Sequence, residues 1–355
     1  MRPLTATIDL SALRHNLAVA RSHAPRSSVF AVIKANAYGH GLLRAARAFS
    51  EAEGYALVEL EAAVRLREAG YAQRIALLEG YFEPSEIAVF AEHRLTAVVH
   101  SAEQLAMLEA EPPRDALDVI LKVNTGMNRL GFAPAKVAAA LARLRAHPAV
   151  SAITLLTHFA DADEARGIAE QRAAFEAIAT GTGLPRSMAN SAATLRYPES
   201  HAEWIRPGIM LYGCSPFPRT IAAEHGLKPA MTLASEIIAV HALEPGAAVG
   251  YGGAFVADRT MRIGVVACGY ADGYPRHAPT GTPVLVGDRL TRTLGRVSMD
   301  MLCVDLTGAP DARVGTRVVL WGAGNPVERV AEAAGTVGYE LLCALAPRVR
   351  VIEQP

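Results

Sequence analysis

The strongest constraint on the fold is an alternation of strand-like and helix-like stretches over the first two thirds of the chain. Short apolar runs predict eight strands, at 29–33, 55–60, 74–78, 95–99, 117–123, 150–157, 186–190 and 205–212. Alanine-rich stretches with helical periodicity lie between most of them, at 42–50, 61–69, 84–92, 101–110, 135–146 and 168–180. This order predicts a (β/α)8 TIM barrel. An open, doubly wound sheet is the alternative, but the glycine signature of dinucleotide binding does not follow the first strand.

The character of the sequence changes near Lys228 and Pro229. Short β-rich runs then alternate with turns rich in Gly, Pro and Asp, at 231–240, 262–268, 283–286, 301–306 and 316–320. One helix is predicted from Pro326 to Ala334. We therefore expect an α/β protein with a barrel at 9–228 and a C-terminal mostly-β domain at 229–355, whose sheet the opening strand at 1–8 joins.

The charge balance and the cysteine spacing exclude several classes of protein. The chain has 355 residues with 35 Lys plus Arg and 35 Asp plus Glu, and it has no basic run typical of a nucleic-acid or membrane-surface protein. It has neither an uncharged apolar run of 18 residues nor a signal peptide, so a cytoplasmic location is expected. The cysteines predict neither a zinc site nor a disulfide framework, and buried free thiols are expected at Cys214, Cys268, Cys303 and Cys343.

A lysine follows the first predicted barrel strand, in the stretch 31–41, AVIKANAYGHG. Burial would lower the pKa of Lys34 and leave a free amine able to attack an aldehyde, so Lys34 is a candidate Schiff-base lysine. A structural salt bridge is the alternative reading of Lys34. Tyr38 stands four residues on, beside two glycines, and is a candidate phosphate ligand.

Polar residues also follow other predicted strands of the barrel, where barrel enzymes build their active sites. They are Arg129 after strand five, His158 after strand six, Asn190 and Ser191 after strand seven, and Arg206, Gly208 and Ile209 in strand eight. Ser191 and the backbone of the last two residues are predicted to cradle a phosphate, because glycine lets main-chain N–H groups approach an anion. A helix N-cap is the alternative role for Ser191. His158 has two alternative roles. One is that of a hydrogen-bonded core histidine. The other, which is not favoured, is that of a metal ligand together with Asp161 and Asp163.

The stretch 31–41 resembles the cofactor-lysine signature of alanine racemases, and the resemblance extends over essentially the whole chain. It implies that Lys34 carries pyridoxal 5'-phosphate and that Tyr38 and Tyr339 lie at its phosphate. Tyr339 follows Gly338, where a proline is expected in the family. The resemblance sets Arg206 against the pyridine nitrogen. A guanidinium stays charged near pH 7 and keeps its proton, which favours proton transfer at the α-carbon over transamination.

Racemisation requires a base on each face of the reacting carbon. Lys34 is the expected base for D-alanine, and the resemblance places Tyr251 of a second chain on the other face as the base for L-alanine. Positive charge at His158 and Arg206 is expected to lower the pKa of this phenol. The resemblance therefore implies an obligate homodimer with composite active sites.

The remaining residues implied by the resemblance surround the substrate. Arg129 and the backbone N–H of Met299 would bind its carboxylate, while Tyr270 and Arg276 would line the entrance. Lys122 matches a lysine that is carbamylated in some relatives, and an unmodified lysine is the alternative. The resemblance implies no metal.

The predicted function is two-base interconversion of L-alanine and D-alanine on pyridoxal phosphate, for peptidoglycan synthesis or alanine catabolism. A broad-specificity amino-acid racemase and a basic-amino-acid decarboxylase of the same fold are the alternatives within the cofactor class. A pyridoxal phosphate carrier is disfavoured because those proteins are lone barrels. A cofactor-free Schiff-base aldolase is a further alternative, and it would lack the visible absorption band that bound pyridoxal phosphate gives.

Overall fold

The computed structural model of the protein describes residues 2–355. The chain opens with strand β1 (Thr5–Asp9) and helix α1 (Leu10–His23). Asp9 caps the helix, since its Oδ1 accepts from the Ala12 N–H at 2.9 Å. The helix then buries one apolar face against the barrel.

Eight parallel strands close into the predicted barrel, each hydrogen-bonded to the next. They are β2 (Ser28–Val32), β3 (Gly54–Leu57), β4 (Arg74–Leu77), β5 (Leu95–Val99), β6 (Leu117–Lys122), β7 (Val150–Leu156), β8 (Arg186–Ser187) and β9 (Trp204–Ile205). Helical segments follow the strands: α2 (Lys34–Tyr38), α3 (Leu42–Ala48), α4 (Leu60–Glu68), α5 (Pro84–Glu92), α6 (Ala102–Ala110), α7 (Pro134–Ala146), α8 (Ala169–Ala179) and α9 (Ser191–Arg196). Since β9 pairs with β2, the sheet is closed, and the open-sheet alternative is wrong.

The last two barrel strands are shorter than predicted. Only Arg186–Ser187 and Trp204–Ile205 are strands, and Ile209–Tyr212 forms a 3-10 helix. Pro207 has no N–H to donate to a sheet, so a strand cannot continue regularly through it. The polar residues of this segment therefore lie in loops above the barrel rather than in its wall.

The C-terminal part is a mostly antiparallel β domain. Its strands are β10 (Met231–Leu243), β13 (Met261–Val266), β14 (Pro283–Val286), β15 (Arg289–Leu294), β16 (Leu302–Asp305), β17 (Arg317–Trp321) and β18 (Arg350–Gln354). Together with β1 they form a sheet with the order β13-β16-β15-β14-β17-β10-β1-β18, in which β13 also pairs with β10. A separate hairpin joins β11 (Ala248–Val249) to β12 (Phe255–Val256), and two helices follow β17, α10 (Val327–Ala333) and α11 (Gly338–Cys343).

Five elements of this domain were not predicted, namely β11, β12, β15, β18 and α11. The strands β11 and β12 have only two residues each. The strands β15 and β18 are rich in charged residues and leave many side chains exposed, so they lack the apolar run that reveals a buried strand. The N-terminal strand β1 pairs with β10 and with β18. Most buried apolar residues of both parts form one core, which includes Leu13, Tyr212 and Trp321, and a smaller separate cluster includes Val249 and Met261.

Candidate active site

The carboxyl ends of the barrel strands surround a cavity of about 780 Å³. Many of the predicted site residues line it: Lys34, Tyr38, Lys122, Arg129, His158, Ser191, Arg206, Gly208, Ile209 and Tyr339. Tyr339 comes from helix α11 of the C-terminal domain, and the others come from the barrel. The fold thus brings together side chains that are far apart in the sequence, since Tyr339 follows Lys34 by 305 positions.

Lys34 opens an unusual left-handed turn. Strand β2 ends at Val32, and residues 35–38 then have φ values between 50° and 54°. Left-handed backbone costs roughly 1–2 kcal/mol per non-glycine residue, so the surroundings must hold this turn. Asn36 contributes, because its Oδ1 accepts from the Leu42 N–H at 2.9 Å.

Burial lowers the pKa of the Lys34 ammonium, the nearby Arg129 lowers it further, and Glu79 opposes them. The salt-bridge alternative is not supported, since none of the ion pairs formed by residues 2–355 involves Lys34. A lysine with a lowered pKa has a larger fraction of its side chain as the neutral amine at neutral pH, and the neutral amine is the form that attacks a carbonyl.

Arg206 is buried directly after β9 and has only neutral acceptors. Its Nη1 donates to the Ser187 hydroxyl at 2.6 Å, and its Nη2 donates to the carbonyl oxygens of Thr157 at 2.7 Å and Met188 at 3.3 Å. Burial lowers the pKa of Arg206 to about 9, so the group keeps its proton at neutral pH. The guanidinium is held rigidly, and its charge is not cancelled by a bonded carboxylate.

His158 lies beside this guanidinium, with its Nδ1 3.5 Å from Nη2 of Arg206. Burial lowers the pKa of His158 well below its usual value, and Arg206 and Lys122 lower it further. The ring is therefore neutral at neutral pH. The expectation that His158 itself adds positive charge is wrong, and the charge of this pair resides on Arg206.

The predicted phosphate cradle is compact. The Ser191 Oγ accepts from the N–H of Gly208 at 2.8 Å and of Met210 at 3.4 Å. A Cβ at Gly208 would lie 2.6 Å from the Tyr38 hydroxyl, so any larger residue there would force this phenol to move. Asn190 caps α9, accepting from the Ala193 N–H at 3.0 Å, and the N-cap alternative for Ser191 is wrong.

Lys122 is the last residue of β6 and lies buried in the cavity wall. Burial lowers the pKa of its amine to about 8, with further lowering by Arg206, Arg129 and Lys34. Arg129 follows in the exposed turn after β6. Four basic side chains therefore converge on one cavity, which suits a ligand with several negative charges.

Known proteins resemble this chain over almost its whole length. Residues 8–216 match the family model "Alanine racemase, N-terminal domain", and residues 230–353 match "Alanine racemase, C-terminal domain". The chain is 62% identical to an alanine racemase of Nitrosospira multiformis over 98% of this chain and 99% of the relative. The solved biosynthetic alanine racemase of Pseudomonas aeruginosa has a TM-score of 0.98 at 50% identity, and the alanine racemase of Acinetobacter baumannii has 0.94 at 37%, each covering 100% of both chains.

The chain belongs to the alanine racemase family. The prediction of this family from the stretch 31–41 is confirmed, as is the barrel with a β domain. Among residues 2–355, no helix is long and apolar enough to cross a membrane. The same residues contain no group of three or more His, Cys, Asp and Glu side chains placed to hold a metal ion.

In this alanine racemase family member, four predicted site residues lie outside the cavity of their own chain. Tyr251, Met299, Tyr270 and Arg276 are exposed on the C-terminal domain, and Tyr251 is 69% exposed. Two backbone hydrogen bonds join the segments of Tyr270 and Met299, from the Tyr270 N–H to the Ser298 carbonyl and from the Ala271 N–H to the Met299 carbonyl, both 3.0 Å. The single chain therefore presents these side chains to its outer surface.

Two polar residues of the cavity were missed. Glu79 follows β4 and His100 follows β5, and the His100 ring contacts the Glu79 carbonyl oxygen at 3.1 Å. The same strand-end rule that found His158 would have found both. The expectation of buried thiols is confirmed for Cys214 and Cys268, whereas Cys303 is half-buried and Cys343 is exposed and lines the cavity.

Proposed function

We propose that the protein is an alanine racemase that interconverts L-alanine and D-alanine with pyridoxal 5'-phosphate. The observation that carries the proposal is the convergence of Lys34, Arg206 and the Ser191–Gly208 cradle on one cavity. The names of the relatives support the substrate, since the Nitrosospira multiformis and Pseudomonas aeruginosa proteins are both described as alanine racemases.

The residues of the cavity fit this cofactor. Gly208 has no side chain, so the space that a Cβ would occupy lies open beside the Tyr38 hydroxyl. The N–H of Gly208 donates to the Ser191 hydroxyl. This group of hydroxyls and backbone suits a phosphate group. Lys34 supplies an amine with a lowered pKa for the aldehyde, and Arg206 supplies a donor for the ring nitrogen. When bound, pyridoxal phosphate supplies the electron sink for charge that develops at the substrate α-carbon.

The protein's own residues would move the proton. Lys34 Nζ accepts and returns the α-proton on one face, the face from which D-alanine loses it. Tyr251 of the partner subunit does so on the opposite face for L-alanine, because one base per face is needed to invert the carbon. Arg206 keeps its positive charge and donates a hydrogen bond to the neutral His158 ring. His158 would in turn orient the phenol of Tyr251.

Other residues would hold the substrate and control access. Arg129 and the Met299 backbone N–H would bind the carboxylate, with Lys122 as a carbamate that braces Arg129. Tyr339 would complete the phosphate side, and Tyr270 and Arg276 would form the entrance. A homodimer follows from these roles, because Tyr251, Met299 and Tyr270 lie outside the cavity of their own chain.

The physiological role proposed is supply of D-alanine for peptidoglycan, supported by the description of the Pseudomonas aeruginosa relative as biosynthetic. Catabolism of alanine is the alternative role, and a cytoplasmic location stays a prediction.

A chiral assay on L-alanine tests the activity. The purified protein is expected to show visible absorption and to bring either enantiomer to an equal mixture. The K34A variant is expected to lose both the absorption and the activity, whereas K136R, which changes an exposed lysine on α7, is expected to keep them. Release of labelled carbon dioxide from the carboxyl group of lysine or ornithine, without racemisation, would instead establish a decarboxylase.

A further inference from the structure

His40 lies directly behind the Lys34 turn and has no place in the proposed chemistry. Its side chain is completely buried, and it is not among the residues that line the cavity. Burial lowers the pKa of the ring to about 4, so the imidazole is neutral at neutral pH. This neutral, buried histidine lies next to a strained turn, and its contacts show which part of the turn it stabilises.

The ring holds the left-handed backbone. Its Nδ1 lies 2.8 Å from the carbonyl oxygen of Tyr38 and 3.1 Å from that of Ala37. Carbonyl oxygens only accept, so Nδ1 carries the proton of the neutral ring. Both acceptors belong to residues with positive φ, which is 54° for Ala37 and 50° for Tyr38. The bonds therefore stabilise the part of the turn that is costly for non-glycine residues.

The same ring also supports the Tyr38 side chain. The centroids of His40 and Tyr212 are 4.7 Å apart, and those of Tyr212 and Tyr38 are also 4.7 Å apart. Tyr212 is fixed in turn, since its hydroxyl donates to the Val32 carbonyl at 2.8 Å. His40 thus constrains Tyr38 twice, through its backbone carbonyl and through the stacked ring between them.

We propose that His40 is a positioning residue for the phosphate end of the cofactor site, acting by fixing the Tyr38 phenol against Gly208. This proposal rests on the proposed function, in which Tyr38 is a phosphate ligand.

The unpaired nitrogen of the ring supports a role for the Nδ1 donor. His40 Nε2 is buried and has no hydrogen-bond partner among residues 2–355. Leaving such a buried acceptor unpaired is unfavourable, and a phenylalanine ring of similar shape would avoid this cost. Packing alone would therefore favour an apolar ring, whereas the Nδ1–H bonds to the turn require a donor at this position.

Variants of His40 separate the donor from the ring. H40F keeps a ring without a donor, and H40N keeps an amide N–H near the place of Nδ1 without the ring. Affinities would be measured on apoenzyme prepared from the purified holoenzyme, with pyridoxal phosphate and with unphosphorylated pyridoxal as the two probes. The melting temperature of each apoenzyme would be recorded, and H241F, at an exposed histidine on β10, is the matched control.

H40F is expected to weaken binding of pyridoxal phosphate about tenfold, the equivalent of one hydrogen bond. Binding of pyridoxal should change much less, and H40N should recover most of the loss. The effect of H40F should largely vanish in a Y38F background, because coupled residues do not add. Equal losses for both probes, or additive effects of the two substitutions, would overturn the proposal.

The Y38F variant keeps the two proposals distinguishable. If Y38F itself leaves the preference for the phosphorylated probe unchanged, the assignment of Tyr38 to the phosphate is wrong. If Y38F reduces that preference and H40F does not, only the role of His40 is wrong. If H40F does not fold, H40Q moves the amide by one methylene and is expected to show the same phosphate-selective loss, and equal losses for the two probes would again contradict it.

Discussion

Nη2 of Arg206 lies 3.5 Å from Nδ1 of His158, and the other contacts of that guanidinium are uncharged oxygen atoms. The rigid fork of an arginine satisfies these acceptors at once, which a lysine ammonium cannot do from a single nitrogen. The pair therefore holds a buried positive charge at a fixed place in the cavity.

Replacing Arg206 by lysine should reduce racemisation strongly. We expect kcat/KM to fall about 100-fold, the range for loss of one preorganised donor, because R206K keeps a charge but loses the fork. Chiral assay of both enantiomers measures the loss. R166K is the control, since Arg166 lies at the surface and pairs with Glu170. A loss below threefold for R206K would contradict the role.

Replacing Tyr251 by phenylalanine should separate the two proton transfers. Because the two enantiomers have equal free energy, kcat/KM for racemisation must fall equally in both directions. The informative measurement is loss of deuterium to water from α-deuterated alanine. In Y251F, exchange from L-alanine should fall by about 100-fold or more, while exchange from D-alanine through Lys34 persists.

The control for this experiment is Y71F, because Tyr71 lies outside the cavity lining and its hydroxyl bonds to the Leu43 carbonyl. Equal losses of exchange from the two enantiomers in Y251F would contradict the assignment of one base to each face.

Lys122 should react reversibly with carbon dioxide. The free amine and carbon dioxide give a carbamate and a proton, so the product grows as pH rises through about 8, the pKa of this amine. The chain has only four lysines, at 34, 122, 136 and 228, which simplifies detection. Carbon-13 NMR in labelled bicarbonate should show a carbamate signal at pH 8 that weakens at pH 6.

The signal should disappear in K122R and persist in K136R. We also expect K122R to lower kcat/KM about tenfold, because Arg129 would lose its brace. A carbamate signal that survives in K122R would assign the modification elsewhere, and no signal in the unaltered protein would leave Lys122 as an ordinary amine.

Adding one methyl group at Gly208 should disturb the cofactor site more than the fold. A Cβ there would lie 2.6 Å from the Tyr38 hydroxyl, which must move away. G208A is expected to weaken pyridoxal phosphate binding about tenfold, roughly one hydrogen bond, measured by absorbance titration. G308A is the matched control, since a Cβ at Gly308 meets no atom within 4 Å. Equal affinities in the two variants would contradict the cradle.

Much of the barrel and its site could be predicted from local sequence. Apolar runs located the strands, and the rule that barrel sites form at strand ends grouped Lys34, His158 and Arg206 before any distance was known. The same rule would have included Glu79 and His100 had it been applied to every strand. The left-handed turn at 35–38 could not be predicted from Ala35 or Ala37, because alanine has no intrinsic preference for positive φ.

The sequence by itself determined the family, the barrel and the amine at Lys34, because periodicity and short motifs depend on residues that are neighbours in the chain. Only the tertiary structure decided that Arg206 has neutral partners, that His158 is uncharged, and that residues 35–38 form a left-handed turn. These properties depend on burial and on contacts between distant segments. No local pattern encodes them, since the pKa of a group and the strain of a turn are set by whatever the fold packs around them.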